Sequence, residues 1–454
     1  MVILLKNTLV KSTIILLIGG TITKILSMLI KIVLSRILGT EGVGTYMMLM
    51  PTFTFLISLA SLGLPSAISK LVAEDKRNNK NLVFSIIPVT MTFDIVIIFT
   101  VIFLSDFIAT TLLHNPDYKY PIIAMGLVLP FIDLSSVLRG YFFGKQKMVP
   151  HAVSNVIEDA VRLLITVLFL PYFLKKGIMV AVTYIILTNI VSELTSILVL
   201  FFFLPKNFSI SKNDFKMNFK NIHDVLSIGI PSTGSRLIGT IGYFLEPIII
   251  TGCLLKTGYS NSYIVSEYGI INGYVMPILL LPSFFTYNIS AALLPIISKS
   301  YIKKEYKYAA KKVKQAIFYS LLIGIPFTIL ITIFPHIPLN ILYHTNEGIT
   351  YMKILSIIFL LHYIQAPLTS TLQAINKAKS AFYGTLVGTI LRITSLYLLT
   401  HLHIGLYSLV IATSINIIYV TIHHLIVVKN SLRWFIFFNN ICLIISIKSI
   451  INII

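Results

Sequence analysis

Nine basic residues of this 454-residue chain stand inside long apolar stretches, where a charge needs a partner. A charged side chain at the centre of a bilayer costs about 2.5 to 3.5 kcal/mol even on the most lenient scale, so such residues face a cavity, an opposite charge or the interface. Lysine and arginine can bind phosphate oxygens, and arginine can do so with two parallel hydrogen bonds. The positions therefore predict a path for an anion. They are Lys24, Lys31, Arg36, Arg139, Arg162, Arg236, Lys353, Arg392 and Lys448.

Helical spacing indicates which of these cations can act together. Lys24 and Lys31 are seven residues apart and lie nearly on one helical face, so both can face one cavity. Glu158 and Arg162 are spaced i, i+4 and lie side by side. Two interpretations stay open for them: a mutual ion pair that neutralises two costly charges, or a pair that an arriving anion separates. For Arg139, near the end of its apolar stretch, interfacial anchoring and substrate contact also both stay open.

Two further arginines occupy the second half of the chain. Arg392 corresponds to Arg162 in an internal repeat, but Gly388 stands where an acid at i−4 would be. We therefore expect Arg392 to be freer to meet an anion. Arg236 and Glu246 are ten residues apart, which places them on different faces of one helix. The candidate substrate-binding residues are thus Lys24, Lys31, Arg139, Glu158, Arg162, Arg236 and Arg392.

Acidic residues within the apolar stretches are the candidates for ion coupling. Asp94, Glu193 and Glu246, together with Asp133, form a pool of proton or sodium sites, while coupling to the membrane potential alone is the alternative. No spacing among them makes a cation cage, and the scattered histidines offer no metal pair. The sequence contains no HExxH, P-loop or GxSxG pattern. It therefore predicts neither an enzyme nor a cofactor.

Membrane helices are the elements that must position these residues. Hydrophobic residues make up 56% of the chain and charged residues only 11%, against about 25% charged residues in soluble domains. This composition excludes a soluble globular fold. The net charge of +20 does not indicate nucleic acid, because no stretch is polar enough to form a soluble basic domain. Cys253 and Cys442 both lie in apolar runs and predict neither a disulfide framework nor a metal pair.

Thirteen stretches are long and apolar enough to cross a bilayer, which takes about 20 residues. They cover residues 12–38, 45–69, 82–105, 121–143, 150–174, 178–204, 224–254, 265–298, 315–336, 349–373, 380–402, 404–428 and 434–454. With the N-terminus in the cytoplasm, 23 Lys and Arg residues fall in inner loops and 4 in outer loops. Since inner loops retain positive charge, this distribution predicts a cytoplasmic N-terminus.

An internal repeat organises the predicted spans into two halves. Residues 51–70 resemble residues 282–299, and residues 147–162 resemble residues 377–392. We expect an all-α polytopic membrane protein with two six-helix halves in a parallel pseudo-two-fold repeat around a central cavity. The predicted parts are an N-terminal lobe at 1–205, a cytoplasmic linker at 206–223, a C-terminal lobe at 224–430 and an additional hydrophobic helix at 431–454.

A family resemblance rests on three stretches within the first 165 residues. They are LLKNTLVKSTIILLIGGTITKILSMLIKIVLSRILGTEGVGTYMMLMP near the start, RGYFFGKQKMVP from Arg139 to Pro150, and SNVIEDAVR from Ser154 to Arg162. The chain resembles the stage V sporulation protein B and polysaccharide-export branch of the multidrug, oligosaccharidyl-lipid and polysaccharide flippase superfamily. In helix number, helix order and half-repeat, the resemblance extends over nearly the whole chain.

The resemblance implies that a polyprenyl-pyrophosphate-linked sugar moves from the cytoplasmic to the outer leaflet of the cell membrane by alternating access. The implied partners are this lipid-linked glycan, the bilayer, and enzymes of cell-wall or polysaccharide synthesis, with the chain itself a monomer. The related murein-precursor flippases carry an Arg-Asp pair in the first span, where this chain has Ile30 and Lys31, so that pair does not transfer. Relatives usually have fourteen spans, against thirteen predicted here.

Two alternatives stay open beside this interpretation. A cation-coupled multidrug exporter of the same fold would have an acid-lined cavity, whereas the predicted spans hold nine cations and six acids. A membrane-embedded glycan polymerase would need a long loop with clustered acids, and no break between the spans is long enough. The balance of charges therefore favours transport of an anion.

Overall fold

The computed structural model describes residues 8–74, 78–205 and 218–432, and these residues form helices joined by short turns, with no β-strand among them. Ten helical segments of this part of the chain are long and apolar enough to cross a membrane. The chain is thus an all-α polytopic membrane protein, as its composition predicts.

Fifteen α-helices are described in these residues and are labelled α1 to α15. Their bounds are α1 Thr8–Ala60, α2 Leu64–Ala73, α3 Asn79–Phe107, α4 Lys119–Gly144, α5 Met148–Leu174, α6 Ile178–Phe202, α7 Phe219–Lys256, α8 Asn261–Gly269, α9 Met276–Leu279, α10 Leu281–Ile302, α11 Tyr306–Ile333, α12 His336–Tyr343, α13 Ile349–Ala374, α14 Ala378–Thr400 and α15 Tyr407–Ser431.

The first twelve predicted spans all lie in these helices, six before residue 206 and six after residue 217. The first membrane-length segment, Ile18–Ala73, holds two of them. The helix α5 is not among the ten because Glu158, Asp159 and Arg162 interrupt its apolar sequence. The thirteenth predicted span, 434–454, and most of the predicted linker lie outside the described residues.

Two predicted elements differ from the structure in where the helix breaks. The expected loop after residue 38 is absent, because α1 continues through it and turns only at Gly39, with φ 66° and ψ −176°; glycine adopts this conformation without strain. The single helix expected at 265–298 is divided into α8, a π-helical turn at Ile270–Val275, α9 and α10. Pro282 lies in the first turn of α10. The N–H groups of a first turn have no partner within the helix, so the N–H that proline lacks costs no hydrogen bond there.

Contacts between helices group the described residues into two compact units. The first unit lies within Met1–Ile278, Pro335–Tyr351 and Arg392–Ala412, and the second within Leu279–Phe334, Met352–Leu391 and Thr413–Ile454. These units follow spatial contact, whereas the lobes predicted at 1–205 and 224–430 follow chain order. The lobe boundaries therefore stay a prediction.

Each unit has its own apolar core. In the first unit, side chains of α2, α3, α4, α6 and α7 pack together, and in the second, those of α10, α11, α13, α14 and α15. Large apolar side chains are also exposed, among them Phe103 at 84% and Phe202 at 88%. Because lipid is as apolar as these side chains, close packing and polar contacts, rather than burial from water, hold membrane helices together.

Two glycines bring α1 and α8 into close contact within the first unit. A Cβ atom on Gly44 would lie 2.1 Å from the carbonyl oxygen of Val265, and one on Gly269 would lie 2.5 Å from the Cα atom of Gly44. Since backbone atoms cannot yield as a flexible side chain does, this crossing requires glycine at both positions.

We expect Gly44→Ala to lower the stability of the purified protein by about 1 to 3 kcal/mol, the usual cost of an overpacked contact. Thermal unfolding in detergent measures the change. The matched control is Gly20→Ala on the same helix, where an added Cβ atom meets nothing within 4 Å. Equal unfolding temperatures for the two variants would contradict the close crossing.

Candidate functional site

A cavity of approximately 290 Å³ in the first unit is lined by α1, α5 and α6. Two cations, Lys31 and Arg162, belong to its lining, and Met50 and Phe53 are part of its apolar surface. The turn at Gly39 brings two separate parts of α1, residues 27–34 and 46–53, to this cavity. The cavity therefore combines positive charge with apolar surface.

Arg162 is held by acids of its own helix and by a hydroxyl of α6. Its Nη2 atom lies 2.5 Å from Glu158 Oε1, and its Nη1 atom lies 3.2 Å from Asp159 Oδ1. Its Nη2 and Nε atoms also donate to Ser192 Oγ at 3.1 and 3.3 Å. The guanidinium is thus fixed at the cavity wall with 22% of the side chain exposed.

Glu158 joins Arg162 to a second arginine. The Nη2 atom of Arg139, on α4, contacts Glu158 Oε2, donates to Ser196 Oγ at 2.9 Å and lies 3.4 Å from Glu193 Oε2 on α6. We call Arg139, Glu158, Asp159, Arg162 and Glu193 the α4–α6 charge network. Two arginines and three carboxylates lie within it, so it carries a formal charge of −1 when every carboxylate is ionised.

Of the two lysines that the helical spacing placed on one face, the cavity takes one, although their charges lie close enough to interact. Lys31 lines the cavity and Lys24 is not part of the lining; both side chains are exposed. Neither lysine has an ion-pair partner within 4.0 Å in the part of the chain that the structure describes. Lys31 is therefore a cavity cation whose charge is available.

Arg392 is not the free cation that Gly388 suggested. Its Nη2 atom contacts Glu246 Oε2 on α7, its guanidinium lies 5.4 Å from the ring centre of Tyr243, and Tyr268 donates a hydrogen bond to Glu246 Oε1 at 3.0 Å. The expectation was wrong because the acid comes from another helix instead of position i−4. Arg392 and Glu246 form a pair with 14% and 1% of their side chains exposed.

Arg236 forms no ion pair with the acids of the α4–α6 charge network or with Glu246. It is exposed, and its Nη1 atom donates to Ser61 Oγ at 2.9 Å in the break between α1 and α2. Glu246, ten residues further along α7, contacts Arg392.

The candidate ion-coupling acids have different surroundings. Glu193 contacts Arg139, and Glu246 contacts Arg392. Asp94 and Asp133 are fully buried next to each other, and among the described residues their carboxyl oxygens have no hydrogen-bonding partner beyond this neighbour. No group of three or more metal-ligating side chains occurs in the described ranges.

Asp159 and three serines that contact the network are not among the predicted site residues. Asp159 follows Glu158 directly, but only Glu158 has the i, i+4 spacing to Arg162; Asp159 reaches the same arginine at i, i+3. Ser27 on α1 donates to Asp159 Oδ2 at 3.2 Å. The two adjacent acids of SNVIEDAVR were the available signal for Asp159, while no local pattern indicates Ser27, Ser192 or Ser196.

Comparison with known proteins gives consistent family matches. The family described as "Polysaccharide biosynthesis protein" matches residues 9–301, and the MatE family matches residues 262–398. The chain is similar to stage V sporulation protein B of Bacillus subtilis (strain 168), with 35% identity over 92% of this chain and 83% of that protein. It is more distantly similar to the lipid II flippase MurJ of the same organism, with 21% identity over 86% of this chain and 77% of that protein.

A solved structure shows the same fold. It is the inward-facing conformation of a multidrug resistance MATE family transporter of the MOP superfamily, with a TM-score of 0.69 and 18% identity over 91% of this chain and 96% of that chain. The identity is too low to carry a function, so the match concerns the arrangement of helices.

We expect Glu246→Ala to destabilise the protein by about 3 to 5 kcal/mol, because it leaves Arg392 buried without its carboxylate. Thermal unfolding of the purified protein measures the loss. Lys119→Ala is the control: it breaks a pair with Asp106 at 3.3 Å whose side chains are 44% and 65% exposed, and such pairs contribute about 0 to 1 kcal/mol. A similar loss in both variants would contradict the assigned burial of the Arg392 pair.

Proposed function

The chain belongs to the polysaccharide biosynthesis protein family, and we propose that it is a flippase for a polyprenyl-pyrophosphate-linked oligosaccharide or peptidoglycan precursor. The lipid-linked glycan moves from the inner to the outer leaflet of the cell membrane by alternating access of the two halves. Among the similar proteins, one is a sporulation protein and one a lipid II flippase, and both names agree with transport of a cell-envelope precursor.

The observation that carries the proposal is the presence of Lys31 and Arg162 on one cavity. A lipid pyrophosphate is an anion attached to a long apolar chain, and its charge must not enter bare hydrocarbon during transfer. Lys31 offers an unpaired ammonium group, and the guanidinium of Arg162 offers planar N–H donors suited to phosphate oxygens. Met50 and Phe53 on the same wall accommodate the apolar part of the ligand.

Binding at Arg162 requires an exchange of partners. In the structure the arginine contacts Glu158, Asp159 and Ser192, so an arriving pyrophosphate competes with the two carboxylates. Glu158 keeps its contact with Arg139 when this happens. The two interpretations of the Glu158–Arg162 pair thus describe two states of one site: an ion pair when the cavity is empty and a separated pair when the anion is bound.

The other predicted residues take different places in this proposal. Arg139 positions Glu158, while Lys24 and Arg236 are exposed and stay predicted contacts along the path. Arg392 reaches an anion only by releasing Glu246. The cavity thus supports two of the seven predicted residues as direct ligands.

The membrane potential favours the proposed direction of transport. With the N-terminus in the cytoplasm, as the Lys and Arg distribution predicts, the anion moves outward from the negative interior. This movement gains about 2.3 kcal/mol per charge per 100 mV.

A multidrug exporter of the same fold is the second candidate function, supported by the MatE match and the solved transporter. A cationic drug would meet Lys31 and Arg162 at the cavity wall. Repulsion by these charges makes the cavity poorly suited to such a substrate. The charge of the cavity therefore favours the flippase.

We expect Arg162→Gln to reduce export of the lipid-linked glycan at least tenfold in cells that depend on this protein, because a hydrogen bond to a charged group contributes about 1.5 to 3 kcal/mol. The measurement is the ratio of outer-leaflet to inner-leaflet glycan at matched protein levels. Lys175→Gln removes the same charge at the exposed end of α5 and is expected to leave export unchanged. Normal export by both Arg162→Gln and Lys31→Gln would refute the site.

The substrate is identified by the lipid-linked glycan that accumulates in the inner leaflet when the protein is depleted. In proteoliposomes, a flippase moves this glycan without changing its length, whereas a polymerase lengthens it. Product lengthening would overturn the proposed function, and movement of a cationic drug without the glycan would favour the exporter.

A further inference from the structure

Asp159 contacts two residues of the cavity lining, Arg162 and Ser27, and forms an ion pair with the first. Its side chain is 8% exposed, its Oδ1 atom lies 3.2 Å from Arg162 Nη1, and its Oδ2 atom accepts a hydrogen bond from Ser27 at 3.2 Å. In the described part of the chain, Arg162 is the one cation within 4.0 Å of this carboxylate. The charge of Asp159 is therefore balanced by the same arginine that faces the cavity.

The other carboxylates of the α4–α6 charge network have a second source of support. Glu158 contacts both Arg139 and Arg162, and Glu193 on α6 contacts Arg139. Arg139, on α4, forms its ion pairs with these two glutamates. Lys31, on α1, lines the cavity and forms no ion pair with any described acid. When Arg162 turns to a bound anion, Asp159 alone loses its cation.

A buried carboxylate without a cation is costly, and neutralisation by a proton is the usual way in which such a group avoids the cost. We propose that Asp159 takes up one proton when an anion binds Arg162 in the cavity. The proton comes from water, the Asp159 carboxylate becomes a carboxylic acid, and the Ser27 hydroxyl still donates to its carbonyl oxygen. This inference rests on the proposed anion site.

The charge balance supports uptake of a single proton, which replaces the one positive charge that Arg162 transfers from Asp159 to the bound anion. The network carries a formal charge of −1, and Lys31 brings the total at the cavity to zero. One anionic charge and one proton together leave this total unchanged. Binding of the anion is then linked to pH, and the affinity rises as the pH falls. The rise is up to about tenfold per pH unit in the pH range in which Asp159 is ionised in the empty site and protonated in the occupied site.

The test uses the purified full-length protein in lipid nanodiscs with farnesyl pyrophosphate as the probe. Calorimetry in two buffers of different ionisation enthalpy gives the number of protons taken up per bound probe. We expect the unmodified protein to take up about one proton more than Asp159→Asn. The variant is expected to bind the probe more tightly than the unmodified protein at high pH, because Arg162 no longer has to leave a charged Asp159.

Two further variants assign the proton. Asp106→Asn removes an exposed acid that pairs with Lys119 and should keep the full uptake. Glu193→Gln should also keep it; loss of uptake in Glu193→Gln together with retention in Asp159→Asn would overturn the assignment to Asp159. If Asp159→Asn does not fold, Ser27→Ala replaces it in the test. Loss of the hydroxyl donor destabilises the ionised Asp159 carboxylate, so the pH at which the affinity for the probe declines should move upward. A decline at the same pH as in the unmodified protein would count against the proposal.

The outcomes separate this inference from the proposed function. Binding of farnesyl pyrophosphate that requires Arg162, with equal proton uptake in the unmodified protein and Asp159→Asn, overturns the role of Asp159 and leaves the anion site intact. No binding of the probe overturns the anion site and this inference together.

Discussion

Compensation of charge within the membrane is the constraint on which the arrangement of the first unit depends. Glu158 lies between Arg139 and Arg162 and thereby joins α4 and α5, while Glu193 and the serines of α6 complete the contacts. Each of these charges would be expensive alone in a bilayer. Together they place an arginine at a cavity wall without leaving it unpaired.

The same constraint gives the cavity its chemical character. Arg162 is already paired, whereas Lys31 is not, so the site holds one available positive charge and one that must be released by its partners. An anion can obtain both, and a proton on Asp159 would replace the charge that the network gives up. During transport of a charged headgroup, Arg162 then exchanges its carboxylate partners for the headgroup. No charge of the site or of the headgroup is left without an opposite charge in the hydrocarbon.

Different parts of the site could be predicted from the sequence to different degrees. The Glu158–Arg162 pair follows from spacing along one helix, and the structure contains it. The Arg392–Glu246 pair could not be found in this way, because its two members are far apart in sequence and lie on different helices, α14 and α7. That Lys31 lines the cavity and Lys24 does not likewise depends on where α5 and α6 pack against α1, which helical spacing does not contain.

Hydropathy and length are enough to predict the all-α membrane class and the approximate positions of the first twelve spans, because they decide which segments can cross a bilayer. The sequence also indicates the local ion pair on α5. The bend of α1, the set of helices that line the cavity and the distant acid that neutralises Arg392 become visible only in the folded protein. Helical spacing shows which residues share a face of one helix. Ion pairs that neutralise charges in a membrane also form between side chains of different helices, and the spacing along one helix contains no information on those.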